Sequence, residues 1–140
     1  MPELPEVETI RRALAPAVGG RRIERIEVLD PRWCEPAPPE EVAQAVEQRI
    51  IERLERRGKW MIWELADEVH LVMHLRMTGN ILLVREAPYT RVRMSFDSGD
   101  VALFTDPRRF GTGVVLLGSA AYRHPEGAEA GVRATVEAVR

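Results

Sequence analysis

The sequence predicts a mainly β domain with flanking helices (α+β), arranged as a two-layer β-sandwich with a helix at its N-terminus. Three observations predict this fold class. The chain opens on apolar residues at helical spacing, and it continues as many short alternating segments between turn residues. Its 140 residues, 45% of them apolar, suffice for one soluble domain with a hydrophobic core.

The N-terminal segment carries apolar residues three or four positions apart, as one buried face of a helix requires. These residues are Leu4, Val7, Ile10 and Leu14. The spacing predicts a helix from Pro2 to about Val18. Pro5 fits the first turn, where its missing N–H costs nothing, and Gly19 and Gly20 end the helix.

The rest of the chain is predicted to consist mostly of strands separated by turns. We expect a strand at residues 21–30, a proline-rich loop at 31–39 and a short helix at 40–48. Further strands are predicted at 50–54, 60–65, 69–76, 81–85, 90–96 and 101–105, with 114–117 as one more candidate. Residues 97–100 (Asp-Ser-Gly-Asp) are typical of a hairpin turn, and residues 127–140 predict a terminal helix.

The composition limits the kinds of partner, cofactor and location that the protein is expected to have. A net charge of −2 and a pI near 6.0 weakly disfavour a nucleic-acid partner, but phosphate binding depends on where the cations lie, and Lys59 is the only lysine. The single cysteine, Cys34, cannot form an internal disulfide or frame a zinc site, so we expect no metal and no cofactor. Without a membrane span or a signal peptide, a cytoplasmic location and no membrane partner are expected.

The first residues carry the most specific chemistry. Methionine before proline is usually removed, which would leave Pro2 with a free secondary amine. At pH 7.5 roughly a quarter to two-fifths of an α-amine is neutral, against roughly 0.1% of a lysine. Pro2 is therefore predicted to be an amine nucleophile that attacks a sugar C1′ and forms an iminium.

Two glutamates follow Pro2 at helical spacing. Glu3 and Glu6 are three residues apart, so their side chains would be neighbours and one of them can act as a proton donor. The alternative is that acidic residues in a first turn only complement the helix dipole. On spacing alone the second role is favoured, and the proline at the very terminus brings the two roles closer without deciding between them.

Three later segments suit contact with DNA. A basic turn, Arg56-Arg57-Gly58-Lys59, can approach phosphates, although a solvated turn is the commoner case. Met77 ends the segment HLRMTG and Phe110 lies in the loop DPRRFG, and such side chains on loop tips can fill the gap left by an extruded nucleotide. Ordinary structural roles are the commoner case: a methionine at Met77 is normally a core residue, His74 is normally bonded to the backbone, and Phe110 could equally be a packing anchor.

Together the segments MPELPEVET, RRGKW, HLRMTG and TDPRRFG, in this order, resemble the N-terminal domain of formamidopyrimidine-DNA glycosylase. Leu4 favours this family over the related endonuclease VIII branch. The resemblance covers residues 1–117 and implies a two-layer β-sandwich flanked by helices. It also implies damaged double-stranded DNA as partner, and excision of oxidised purines followed by β- and δ-elimination.

The resemblance also implies a role for each matching residue. Pro2 would be the nucleophile, Glu3 the acid that assists ring opening and base release, and Glu6 a supporting residue. Lys59, which we count among the catalytic residues, would contact phosphates around the lesion, and so would His74. The residues that would enter or contact the duplex are Met77, Arg108, Arg109 and Phe110, with Arg108 facing the orphaned base.

The sequence departs from the family pattern in two places. Residues 118–140 carry no motif that matches the family clearly, and neither a helix–two-turn–helix domain nor a four-cysteine zinc finger is recognised. Many members carry Lys-His-Asp-His where this chain has Tyr89 to Arg93. We therefore expect a glycosylase/lyase with reduced activity. The alternatives are a non-catalytic DNA-binding module and a vestigial domain.

Overall fold

A computed structural model describes residues 4–118, with the side chains of residues 4 and 5 left out. It contains two α-helices, α1 (Leu4–Val18) and α2 (Pro39–Val46), and eight strands. The strands are β1 (Ile23–Val28), β2 (Ile51–Arg57), β3 (Trp60–Leu65), β4 (Val69–His74), β5 (Asn80–Leu82), β6 (Thr90–Phe96), β7 (Val101–Thr105) and β8 (Thr112–Leu117).

The strands form two four-stranded antiparallel sheets, which confirms the predicted sandwich. One sheet has the order β2-β3-β4-β8 and the other β1-β6-β7-β5. Aromatic side chains join the sheets: Trp63 of β3 stacks on Phe96 of β6 with ring centroids 6.3 Å apart. Trp63 and Phe96 are both essentially inaccessible to solvent, so the core lies between the sheets.

Most predicted elements are confirmed, and the differences have local causes. Strand β2 runs three residues further than expected, because the two-residue turn at Gly58 and Lys59 lets Arg57 pair with Trp60. Strand β4 ends at His74 because the next residues form a tight turn, closed by a 2.9 Å hydrogen bond from Gly79 N–H to Leu75 C=O. Strand β5 covers only the three residues Asn80–Leu82, where residues 81–85 were expected.

The predicted loop at 31–39 contains a 3-10 helix, Pro31–Cys34. Asp30 caps it by accepting a hydrogen bond from the Arg32 N–H at 3.2 Å, as is common for aspartate at such a position. Cys34 is buried, and burial raises the pKa of its thiol to about 11. The predicted helix at 127–140 lies outside the described residues.

Candidate functional site

The motif-bearing segments meet at one end of the sandwich. Trp60 pairs with His74, and His74 pairs with Thr112, in adjacent strands. The β2–β3 turn, the β4–β5 loop (residues 75–79) and the β7–β8 loop (residues 106–111) therefore leave the sheet at the same end. Segments that are far apart in the sequence become neighbours in this way.

Helix α1 is fixed to this end through strand β2. Glu8 of the helix accepts a hydrogen bond from Arg56 Nε at 3.1 Å, and Arg11, one turn later, donates to the Leu54 carbonyl at 3.2 Å. Because later helix residues meet earlier strand residues, the helix runs antiparallel to β2. Its N-terminus therefore points toward the β2–β3 turn.

Glu8 is the centre of this attachment. Its carboxylate also accepts two hydrogen bonds from Arg11, at 2.9 and 2.6 Å, and one from Arg12 at 2.9 Å. These guanidinium contacts, that from Arg11 foremost, lower the pKa of Glu8 from 4.5 to about 2 despite the opposing effect of burial. Glu8 is thus ionised when it holds the helix.

Acidification is expected to loosen this attachment in a defined pH range. A carboxyl group whose pKa is lower in the folded state stabilises the fold above its unfolded pKa, and the contribution is lost as the pH falls through the folded value. Wild-type protein should therefore lose stability between pH 4.5 and about 2 through Glu8. Glu8→Gln should lower the thermal midpoint at pH 7 and flatten its decline over that range, as followed by circular dichroism.

The control for this prediction is Arg12→Ala. The Arg12 side chain is 75% exposed, and its hydrogen bond lowers the pKa of Glu8 less than those from Arg11 and Arg56 do. This variant should therefore keep most of the pH dependence. An unaltered pH profile in Glu8→Gln would contradict the assignment.

The structure places the predicted catalytic residues as follows. Pro2 and Glu3 lie outside the described residues, so their roles stay predictions. Glu6 is exposed in the first turn of α1, and Lys59 is half-buried in the β2–β3 turn beside Gly58, whose φ of 61° suits glycine.

Arg56, in the same basic segment, has a structural contact that sequence reasoning missed. Besides Glu8, it donates to the Gly58 carbonyl at 3.0 Å, so it braces the turn from within. Glu8 and Arg12 are four residues apart, a spacing typical of an ion pair within a helix, but no local pattern in the sequence indicates a partner on β2.

His74 lies at the end of β4, beside Trp60. Its Nδ1 accepts the backbone N–H of Arg76 at 3.0 Å, which confirms the predicted backbone contact. Burial, and then the positive charges of Arg76 and Lys59, lower the pKa of His74 to about 4. The imidazole is therefore neutral at pH 7 and carries its proton on Nε2, which can donate a hydrogen bond.

The two predicted loop tips carry exposed apolar side chains. Met77 of the β4–β5 loop is 43% exposed and Phe110 of the β7–β8 loop is 52% exposed. Arg108 is also exposed, whereas Nε of Arg109 donates to Asp30 at 2.8 Å. That guanidinium holds the pKa of Asp30 below its usual range. Contact of Arg109 with DNA stays a prediction.

Asp106 organises the β7–β8 loop and was assigned no role from the sequence. It is fully buried, and its Oδ1 accepts the Arg108 N–H at 3.1 Å while its Oδ2 accepts the Gly111 N–H at 2.7 Å. The hydroxyl of Thr78, in the other loop, donates to the same Oδ1. The Asp-Pro pair at the loop start was the available signal, because aspartate often bonds the N–H two residues on.

Arg91 also belongs to this loop support. Its Nε donates to the Asp106 carbonyl at 2.8 Å, and its guanidinium lies 6.0 Å from the Tyr89 ring. The departure from the family pattern at Tyr89 and Arg91 thus coincides with packing against the β7–β8 loop.

Residues 4–118 contain neither a cluster suited to a metal ion nor a helix suited to a membrane. No group of three His, Cys, Asp or Glu side chains in this range is arranged to hold a metal ion. No helix in the same range combines the length and apolar character needed to cross a bilayer.

The fold and the site define a β-sandwich protein with a basic, loop-built end. The chain belongs to the formamidopyrimidine-DNA glycosylase family: the model of the formamidopyrimidine-DNA glycosylase N-terminal domain matches residues 1–113. The formamidopyrimidine-DNA glycosylase of Moorella thermoacetica is 44% identical over 115 residues, and that of Symbiobacterium thermophilum 43% identical over 131 residues. These matches cover 79% and 91% of this chain.

Solved structures of a Lactococcus lactis family member are similar in fold. Its complexes with DNA containing an abasic site and with DNA containing Fapy-dG both have a TM-score of 0.75 and 33% identity. Each match covers 81% of this chain and 43% of the other. This chain also spans 42% of the length of both curated relatives named above.

Proposed function

We propose that this chain acts in DNA base-excision repair as the nucleophile-bearing part of a glycosylase/AP lyase for oxidised purines. The observation that carries the proposal is the convergence at one end of the sandwich. There the N-terminal end of α1, the Lys59 turn, His74 and the exposed Met77 and Phe110 lie on adjacent segments. Family membership supports the same reading.

The charge distribution supports a DNA partner despite the net charge of −2. Several cationic side chains lie at the end where the loops meet: Arg57, Lys59, Arg76, Arg91 and Arg108, with Arg109 paired to Asp30. A local cluster of this kind attracts phosphates whatever the charge of the whole chain. The neutral His74 would add a hydrogen bond to a phosphate oxygen without adding charge.

The proposed reaction uses the Pro2 amine. Its nitrogen lone pair attacks C1′ of the damaged nucleotide, and the glycosidic C1′–N bond breaks, its electrons leaving on the base, which takes up a proton. Glu3 protonates the sugar ring oxygen as the ring opens, and the Pro2 nitrogen forms an iminium with C1′. Loss of a C2′ proton then expels the 3′ phosphate, and a second elimination releases the 5′ phosphate.

Borohydride trapping tests this proposal. The wild-type chain, with Met1 removed, should give a covalent adduct with an oligonucleotide containing an abasic site, because borohydride reduces the iminium to a stable amine. Pro2→Gly, or retention of Met1, should reduce the adduct by at least about tenfold, since the secondary amine is then missing or acylated. Adduct mass is read by mass spectrometry.

A matched control is Pro16→Ala, which changes an exposed proline of α1 and leaves the terminus intact. It should trap like wild type. Equal trapping by Pro2→Gly would contradict the proposed nucleophile.

A non-catalytic DNA-binding module is the second candidate. It is favoured by the fact that strand pairing places the segments that carry Met77, Phe110, Lys59 and His74 at one end of the sandwich. Salt-sensitive binding without an adduct would identify this function. A chain with neither adduct nor binding would be a vestigial domain.

A further inference from the structure

The β4–β5 and β7–β8 loops share one buried group, the Asp106 carboxylate. Thr78 reaches it from the first loop, and the N–H groups of Arg108 and Gly111 reach it from the second. Met77 directly precedes Thr78, and Phe110 directly precedes Gly111. Each exposed apolar side chain therefore neighbours a residue bonded to Asp106.

The surroundings of Asp106 leave the loops little room to move separately. Its backbone N–H donates to the Tyr89 carbonyl at 3.0 Å, and its own carbonyl accepts Arg91 Nε at 2.8 Å. A Cβ on Gly111 would lie 2.5 Å from the Phe104 ring and 3.1 Å from Asp106 Oδ2, so the loop end is tightly packed. Because buried carboxylate bonds are costly to break, the shared group is a strong constraint.

We propose that Asp106 is a positioning residue whose bond to Thr78 couples the two loops, so that Met77 and Phe110 are presented to a duplex as one rigid wedge. The inference rests on the proposed function for the entry of these side chains into DNA. The coupling itself concerns the protein alone. A wedge that is preorganised loses less conformational freedom on binding than two independent tips.

Hydrogen exchange of the Arg108 and Gly111 amides tests the coupling without DNA. Thr78→Val keeps the side-chain shape and removes the hydroxyl. It should accelerate exchange of both amides by about fivefold, the size expected for one lost hydrogen bond. Thr78→Ser, which restores a hydroxyl, should return both rates toward wild type, and Ser98→Ala, at the opposite end of β7, should leave them unchanged. Unchanged exchange in Thr78→Val would overturn the coupling.

Binding to DNA supplies the second readout. In Thr78→Val the preference for an abasic-site duplex over an undamaged duplex should fall about fivefold, while the affinity for undamaged DNA, which depends on phosphate contacts, stays constant. An equal loss for both duplexes would overturn the wedge. If the wild type bound neither duplex, the proposed function would fail, and the exchange rates would still decide the coupling.

Discussion

Gly113→Ala is expected to destabilise the domain by about 1–3 kcal/mol, because a new methyl group has nowhere to go. A Cβ at this position of β8 would lie 2.0–2.5 Å from three atoms of the Trp33 indole ring. Trp33 is buried and packs edge-on against Phe104 at 5.6 Å, so it cannot swing into solvent. The urea midpoint, with an unchanged slope, measures the loss.

The clash at Trp33 should also disturb the β7–β8 loop. Trp33 belongs to the 3-10 helix that Asp30 caps, and Asp30 accepts a hydrogen bond from Arg109 of that loop.

A double-mutant cycle with Trp33→Leu isolates the steric clash. In the Trp33→Leu background, Gly113→Ala should cost less than about 1 kcal/mol, because the overlapping ring is gone. Simple additivity of the two changes would contradict the steric explanation.

His74→Ala is expected to weaken binding to an abasic-site duplex about tenfold or more, the cost of one hydrogen bond to a charged oxygen. The dependence of affinity on salt should stay the same at pH 7–8. With a pKa of about 4, the imidazole is neutral there and displaces no counterion when it meets a phosphate. Fluorescence anisotropy between about 50 and 200 mM salt measures both quantities.

Lys59→Ala is the control variant, because it removes a phosphate contact that carries a charge. Removing a charged phosphate contact should lower the logarithmic salt slope by about one and weaken binding to all sequences alike. His74→Gln, which keeps an N–H donor, should recover part of the affinity. A salt slope that falls in His74→Ala as it does in Lys59→Ala would show a charged histidine and contradict the neutral assignment.

Local patterns were sufficient for most of the fold. The three- to four-residue spacing of Val7, Ile10 and Leu14 predicted α1, and short segments between turn signals predicted β3, β6 and β7 with their observed bounds. The ends of these elements were harder to predict from the sequence. The extension of β2 depended on pairing with β3 across a two-residue turn, and β4 ended early where Gly79 closes a tight turn.

The candidate site, too, could be predicted only in part from the sequence. Sequence motifs selected Lys59, His74, Met77 and Phe110, and the structure brings their segments to one end of the sandwich. They did not reveal that His74 is neutral, because its pKa is set by burial and by neighbouring cations. Nor did they reveal Asp106 as the group shared by two loops.

By itself the sequence determined the β-sandwich with its leading helix, and the prediction of amine chemistry at Pro2, because these depend on residue types and short periodicities. Only the tertiary structure decided which polar groups meet. Glu8 and Arg56 are 48 positions apart, Thr78 and Asp106 are 28, and Asp30 and Arg109 are 79. Such pairs follow from strand order and register, which place distant segments side by side, and no local pattern records them.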